Sequence, residues 1–567
     1  MYENIIKDLR PKPIFNLTWY TNEDKYSDGD IEDVIIQKIA ENSPENYVKA
    51  IENNYNWPVY YHLTHTRKNI LNWYPFCEDA EVLEIGCGFG AITNMLCDQC
   101  KHVTAVELSK RRATGTLLRC REKSNLEIIV GNLNDIQFDK KFDYITLIGV
   151  LEYQGKYTDT ENPYVDFLKK IKTLLKPNGK LLIAIENKCG LKYWCGARED
   201  HTGIPFDGLN RYKLSNGGIR TFSKDELKEI VNLAGYEKTF FYYPMPDYKL
   251  PAVVYSEKYC PKNEAEFTKW IYYIPNTYTM PISERGMYHD VIRNGVFEFF
   301  ANSFLVECSD STNIGEVIYA RLNSERTSEY RIGTRFVRND KVEKFSLEKA
   351  YADAHLNQTE KNHLELKSRG MDVLECNVEN GILQTDFVKN ATLDGYLREI
   401  YGKGIEAKDE IYIIWDEIYR QILMSSEEVS WQDNIMYSMG LQISPDEVKF
   451  GKILKEGYMD LIPTNAFWEG DKIKWFDQEW KLEHLPAKYV MFRALVAFYV
   501  GMSNQKVCVT INDLAIRYSL VECWDIFNKF ESAFLQSVCD TKHIQECMGF
   551  QGTPDKDMIN CIKRIMG

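Results

Sequence analysis

The residues of this chain whose types and spacing could do chemistry fall into two groups. In the first, Val82-Leu83-Glu84-Ile85-Gly86-Cys87-Gly88-Phe89-Gly90 reads as a strand entering a tight glycine turn that opens a helix at Ala91. Glycines there reach positive φ and let a ligand approach the backbone, and the helix start offers unpaired N–H groups. Glu107 ends the next strand-like run, Val103-Thr-Ala-Val-Glu107, where a carboxylate can accept from both hydroxyls of a ribose. Val130-Gly131-Asn132-Leu133 ends the run after that, suited to meet an adenine edge through Asn132. The glycines are evenly spaced and Ala91 follows them, so the loop departs from the GxGxxG of a dinucleotide fold.

The second group lies toward the other end of the chain. Asp460 and Asn465 flank a short apolar stretch, and Asp477 follows after a turn at Trp468-Glu-Gly-Asp471. Phosphoryl transfer from ATP uses such a set: one carboxylate to orient the acceptor hydroxyl, an amide oxygen and a second carboxylate on Mg²⁺. Asp-x4-Asn is the spacing of a kinase catalytic loop. Upstream, Lys344 lies on a strand-like run, with Glu360 or Glu365 on the following helix as its ion-pair partner, and Leu383 to Lys389 reads as a hinge that meets adenine through its backbone. The turn Asn323 to Ser328 has no glycine, so Ser324, Arg326 or Thr327 is expected to meet phosphates there.

These groups need elements to hold them. From Ala80, short β-rich runs (Glu81 to Ile85, His102 to Val106, Leu126 to Val130, Tyr144 to Ile148, Lys180 to Ile185) alternate with helical stretches, the pattern of a doubly wound α/β sheet. Thr239 to Tyr243 and then Val253 to Tyr255 or Ser303 to Glu307 complete it, the later run being favoured to close the sheet. Residues 1–76 read as an N-terminal helical cap with a helix over Tyr60 to Trp73, and 77–311 as the α/β domain. Three strand-like runs (Val317 to Leu322, Glu329 to Arg338, Lys341 to Leu347) and a helix over Glu348 to Arg369 form a small β-lobe, 312–390. Residues 391–567 form a mostly helical lobe, so the second region is a two-lobed α+β domain.

Composition excludes several classes. Lys+Arg 69 against Asp+Glu 83 gives −14, which argues against nucleic acid as a partner. No run of about 18 apolar residues and no basic, then apolar, leader at Met1-Tyr2-Glu3-Asn4 is present, so a cytoplasmic chain with reduced thiols is expected. The 15 cysteines include one CxxC, Cys97 to Cys100, with no second pair at zinc spacing.

The first group resembles class I S-adenosylmethionine-dependent methyltransferases over roughly residues 60–255. The Glu84 to Gly90 loop, Glu107, Gly131-Asn132 and Gly149-Val-Leu-Glu152-Tyr153 fall in that family's order. The resemblance implies a Rossmann-like fold, with Glu84, Gly86, Cys87, Gly88, Gly90, Glu107, Asn132, Leu133 and Gly149 around the cofactor. Acceptor contacts are then expected after the fifth strand, from Glu186, Glu199 and His201, with His201 as the base. His62 and His65 are read as helix packing or a lid rather than as metal ligands.

The second group resembles the protein-kinase-like fold in its aminoglycoside-phosphotransferase branch, over about 312–567. Tyr458-Met459 stand where His-Arg is usual, and Asp477 is followed by Gln478-Glu479 rather than Phe-Gly. The resemblance implies ATP and Mg²⁺, with Lys344 on phosphate, Asp460 as the catalytic carboxylate, and Asn465 and Asp477 as metal ligands. The domain order resembles bacterial chain-terminating methyltransferase-kinases of O-antigen and related lipopolysaccharide pathways. It implies a glycan acceptor, glycosyltransferases of the same pathway as partners, and compatibility with peripheral membrane association. A methyltransferase of a sugar or small-molecule hydroxyl with a silent kinase-like scaffold, and a non-catalytic organiser, are the rival readings.

Overall fold

The computed structural model describes residues 3–24, 27–52, 56–215, 218–262, 282, 284–348, 351–439, 449–502 and 507–539. The chain forms two compact units: Met1–Ser324 with Arg335–Arg338, and Glu325–Thr334 with Asn339–Gly567. The expected boundary at 311/312 thus moves. The run Val317–Leu322 pairs antiparallel with Val253–Ser256, which places it in the first unit rather than at the head of the second.

In the first unit the strands are β1 (Ile14–Asn16), β2 (Glu81–Ile85), β3 (His102–Glu107), β4 (Leu126–Val130), β5 (Phe142–Ile148), β6 (Leu175–Glu186), β7 (Lys238–Met245), β8 (Val253–Ser256), β9 (Ser303–Ser309) and β10 (Val317–Leu322). Their order is β1-β4-β3-β2-β5-β6-β9-β7-β8-β10. The pairs from β1 to β6 are parallel, and β9 enters antiparallel between β6 and β7. Ser303 to Glu307, the run favoured to close the sheet, therefore lies inside it between β6 and β7, and Val253–Ser256 joins as well, outside β7. β2 to β6 are mostly buried, most fully toward their carboxyl ends, as in parallel sheets covered by helices on both faces. The strand order reverses between β2 and β5. Their carboxyl ends, at Ile85 and Ile148, form the crevice where ligands sit in such sheets.

The N-terminal cap is not purely helical. Ile14–Asn16 joins the sheet edge parallel to β4, and the expected helix over Tyr60 to Trp73 breaks. It runs Trp57–Leu63, with Asn56 accepting from the Val59 N–H. Thr64 then turns extended and caps a 3₁₀ segment, His65–Ile70. Helices Ile31–Glu41, Tyr47–Glu52 and Trp57–Leu63 bury Ile35, Ile36, Ile39, Val59 and Leu63 against Phe89 and Leu118, which seats the cap on the glycine turn.

In the second unit, Lys341–Ser346 pairs antiparallel with Ile382–Asp386, which pairs in turn with Cys376–Glu379. The helix Asp353–Ser368 follows the first of these, shorter at its start than the sequence suggests. Beyond Leu393 the described residues are mostly helical, with strands Glu428–Val429, Ile453–Tyr458, Ala466–Trp468, Ile473–Trp475 and Lys481–Pro486. A single large cluster around Trp415, Ile418, Tyr458, Trp475 and Phe492 forms its core.

Candidate functional site

A cavity of about 470 Å³ opens at the carboxyl ends of β2 to β6. Of the residues expected around a cofactor, Glu84, Gly86, Cys87, Gly88, Glu107, Asn132, Leu133 and Gly149 line it, as does His201. Gly90 stands behind the wall: it caps helix Ala91–Gln99 at φ 76°, and a Cβ there would meet Thr116 at 2.9 Å. Gly86 at φ 79° has no room either, since a Cβ would lie 2.5 Å from Val150 Cγ2. Positive φ and close approach both require glycine at these two positions.

The Glu107 carboxylate accepts from the Gly88 N–H (2.8 Å) and the Ser109 N–H (3.0 Å), which ties the end of β3 to the glycine turn. Asn132 Oδ1 accepts from the Asn134 N–H (3.0 Å), leaving its amide NH₂ available toward the cavity it lines. Glu84 is 3% exposed and its Oε2 has no hydrogen-bond partner. Burial pushes its carboxyl up to about 7. A buried, unsatisfied carboxylate beside an open cavity costs stability, and an incoming cation would recover it. The Cys87 thiol is buried and pushed up by burial, so it is an inert wall.

At the other end of the cavity, His201 stands among three carboxylates. Its Nδ1 lies 3.2 Å from Glu199 Oε1, and its Nε2 lies 3.5 Å from Glu152 Oε1 and 3.8 Å from Glu186 Oε2. Burial alone would favour the neutral ring, but the carboxylates, Glu186 foremost, hold it protonated well above its ordinary range. His201 lines the cavity where a base was expected, with its ring set among these carboxylates. Glu199 does not line the cavity. Its Oε2 accepts from the N–H groups of His201 and Thr202, each at 2.7 Å, while its Oε1 faces the ring Nδ1. Glu186 does line the cavity, with its Oε1 held by Tyr248 OH (3.3 Å) and Lys249 Nζ. Lys249 and Lys192 keep Glu186 and Asp200 ionised, whereas burial raises Glu152.

Sequence reasoning missed the cations and rings around these groups. Arg67 donates to the carbonyls of Tyr248 and Lys249 (both 3.1 Å), and Arg119 to those of Phe89 (2.9 Å) and His62 (2.8 Å). Trp57, Tyr61 and Tyr153 line the cavity. His62 and His65 do not face one another's target. His62 packs edge-on to Phe89 at 4.7 Å, neutral because of burial and nearby arginines, and His65 Nε2 meets Ser324 O.

In the second unit the residues of the other group converge. Lys344 Nζ contacts Asp477 and lies 2.5 Å from Glu479 Oε1, and Asn465 Nδ2 donates to Asp477 O (3.3 Å). Asp460 Oδ2 accepts from the N–H groups of Glu479 (2.9 Å) and Trp480 (2.8 Å), and burial pushes its carboxyl up to about 7. One expectation is corrected. Neither Glu360 nor Glu365 pairs with Lys344: Glu360 accepts from the Val378 N–H, Glu365 takes Lys481, and Glu479 supplies the partner. In the turn expected to meet phosphates, Arg326 pairs with Glu479 at 2.6 Å and Ser324 Oγ accepts from Asn69. The helix presents His355, Asn362 and His363, not a carboxylate, to the Gln478-Glu479 segment.

Residues 83–183 match the family model described as a methyltransferase domain. The chain is 35% identical over 115 residues to an uncharacterized methyltransferase of Staphylococcus carnosus (strain TM300), covering 20% of this chain and 51% of that protein. It is 24% identical over 115 residues to nodulation protein S of Rhizobium tropici, covering 20% of this chain and 47% of that protein. The chain thus spans about half the length of the curated relatives it matches. Among solved structures, a SAM-dependent methyltransferase of Thermotoga maritima is 15% identical with a TM-score of 0.27, covering 47% of this chain and 100% of that one. No helix among the described residues is long and apolar enough to cross a membrane.

Proposed function

From the class I S-adenosylmethionine-dependent methyltransferase domain that this chain carries, we propose that the protein methylates a glycan acceptor that its second unit first phosphorylates. The observation that supports methyl transfer is the meeting of Glu84, the Gly86 to Gly88 turn, Glu107 and Asn132 on the wall of one cavity with Glu152, Glu186 and His201. The donor set suits the cofactor: the unpartnered Glu84 Oε2 for its α-ammonium, Glu107 for the ribose hydroxyls, Asn132 and Leu133 for adenine. S-adenosylmethionine supplies a methyl group on a positively charged sulfonium. The residues of the chain have mainly to position and dehydrate, because in-line displacement depends on alignment. An acceptor that is already ionised, such as a phosphate monoester, needs no base.

The phosphorylation step is supported by Lys344 and Asp477, 133 residues apart, coming into contact beside Asn465. A carboxylate and an amide oxygen are the oxygen donors Mg²⁺ prefers, and Lys344 would neutralise phosphate. Asp460 would orient the acceptor hydroxyl through Oδ1, since Oδ2 is taken by backbone N–H groups. The test is incubation with labelled ATP, labelled S-adenosylmethionine and lipid-linked glycan acceptors. Glu107→Ala is expected to abolish methyl incorporation and spare phosphate. Asp477→Asn is expected to abolish both unless a phosphorylated acceptor is supplied. Full methyl transfer in Asp477→Asn, with no phosphate incorporated by any form of the protein, refutes the coupling.

A further inference from the structure

We infer that Glu152, Glu186 and His201 form a divalent metal site at the acceptor end of the cavity. The three offer one ligand atom each within 4.8 Å of one another, and all three line the cavity. The separations of His201 Nε2 from Glu152 Oε1 (3.5 Å) and Glu186 Oε2 (3.8 Å) are too long for good hydrogen bonds. They match ligand atoms set around an ion with bonds of roughly 2.0–2.2 Å, which stand roughly 3–4 Å apart.

Independent observations point to a missing occupant. Glu152 and Glu186 are 1% and 0% exposed, and the Oε2 atom of each has no hydrogen-bond partner. On Glu186 the other oxygen is the one taken, by Tyr248 and Lys249, so the free oxygen is the one turned to His201. The ring is supported as metal-binding imidazoles are. Its Nδ1 faces Glu199, whose second oxygen is fixed by the N–H groups of His201 and Thr202. A carboxylate on Nδ1 keeps the proton on that nitrogen, so that an incoming ion displaces the Nε2 proton and takes its lone pair. Charge balance agrees: among the described residues, the ion pairs of Glu152, Glu186, Glu199, Asp200 and Asp247 reach only Lys192, Lys249 and the ring itself. Two carboxylates and one imidazole suit a first-row divalent ion such as Mn²⁺ or Zn²⁺. Its remaining positions would face the cavity, toward an oxygen of the acceptor. Only that last role rests on the methyltransferase reading.

The experiment titrates the full chain, stripped by chelator, with Mn²⁺ alone and with Zn²⁺ alone, by calorimetry, alongside a separate titration with S-adenosylhomocysteine. Binding of one ion at this site is expected, with affinity lowered ten-fold or more by Glu152→Gln and by His201→Gln and unchanged by Asp310→Asn, a surface carboxylate paired with Lys172. Glu199→Gln, which touches no ion, is expected to weaken binding by about 10–100-fold. Hydrogen exchange over Glu81–Ile85 establishes that each variant is folded. No uptake of either metal, or uptake indifferent to Glu152→Gln and His201→Gln in folded protein, overturns the site. Stabilisation by a small alkylamine without metal uptake also overturns it, assigning the carboxylates to an ammonium ligand. Metal uptake without binding of S-adenosylhomocysteine supports the site and counts against the methyltransferase reading, and the converse result spares that reading alone.

Discussion

Replacing Glu84 by Gln should stabilise the first unit at pH 8 while weakening its hold on S-adenosylmethionine. Glu84 is buried, its Oε2 is unpartnered, and its carboxyl is raised from 4.5 to about 7, burial being the main cause and the Glu107 charge adding to it. Between those values the folded state keeps a proton that the unfolded state has released. This group's contribution to stability is therefore fully present below about 4.5 and is lost as pH rises to about 7 and beyond. The span of about 2.5 pH units at 1.36 kcal/mol each amounts to about 3 kcal/mol. Gln has the shape of the neutral acid and does not titrate. The stability difference between wild type and Glu84→Gln should therefore grow by about 2.5 kcal/mol from pH 5 to pH 8, part of the span lying below pH 5, with other groups cancelling. Hydrogen exchange of the Glu81–Ile85 amides, which belong to the first unit, is the readout in a chain of two units. Loss of a charge-assisted contact to the ligand's ammonium is worth about 1.5–3 kcal/mol, or roughly 10–100-fold in affinity, measured at pH 8 by calorimetry. A difference that stays flat with pH, or a variant that binds the ligand as wild type does, would refute the assignment of Glu84 as strained for binding.

Three further outcomes follow from packing and pairing. Gly86→Ala places a Cβ 2.5 Å from Val150 Cγ2 at a φ of 79°, so a loss of about 1–3 kcal/mol and of S-adenosylhomocysteine binding is expected in a thermal-shift titration. Lys344→Met removes the cation shared by the part-exposed Asp477 and the buried Glu479, which keeps Arg326, and should cost the second unit about 1–3 kcal/mol. A second change, Glu479→Gln, should return part of that loss in a denaturant titration followed at Trp475 and Trp480. Asp460→Ala strips the N–H groups of Glu479 and Trp480 of their acceptor, at about 1–3 kcal/mol each, and should speed exchange of those two amides specifically.

What the sequence made legible was chemistry carried by neighbouring residues. The glycine turn could be read because positive φ at Gly86, Gly88 and Gly90 is a local demand, and Glu107 because it ends the next run of the same pattern. The edge strand Ile14–Asn16 could not, since three residues are too few to show alternation and their pairing with β4 is set from outside. The helix over Tyr60 to Trp73 was overcalled by its apolar content, because the Thr64 side chain ends it with a hydrogen bond that periodicity does not register. Ion pairs were the least legible. Lys344 was expected to take a carboxylate from the helix that follows it, as spacing suggests, yet it takes Glu479, two positions beyond Asp477. The same holds at the cavity, where Lys249 comes from the segment after β7 to fix Glu186 at the end of β6. A buried carboxylate must find a cation wherever the fold brings one, so its partner is decided by tertiary structure. Among the described residues four buried carboxylate oxygens still lack a partner; Asp207 Oδ2 lies elsewhere, but Oε2 of Glu84, Glu152 and Glu186 belong to residues lining one cavity, and this is why the site is assigned there.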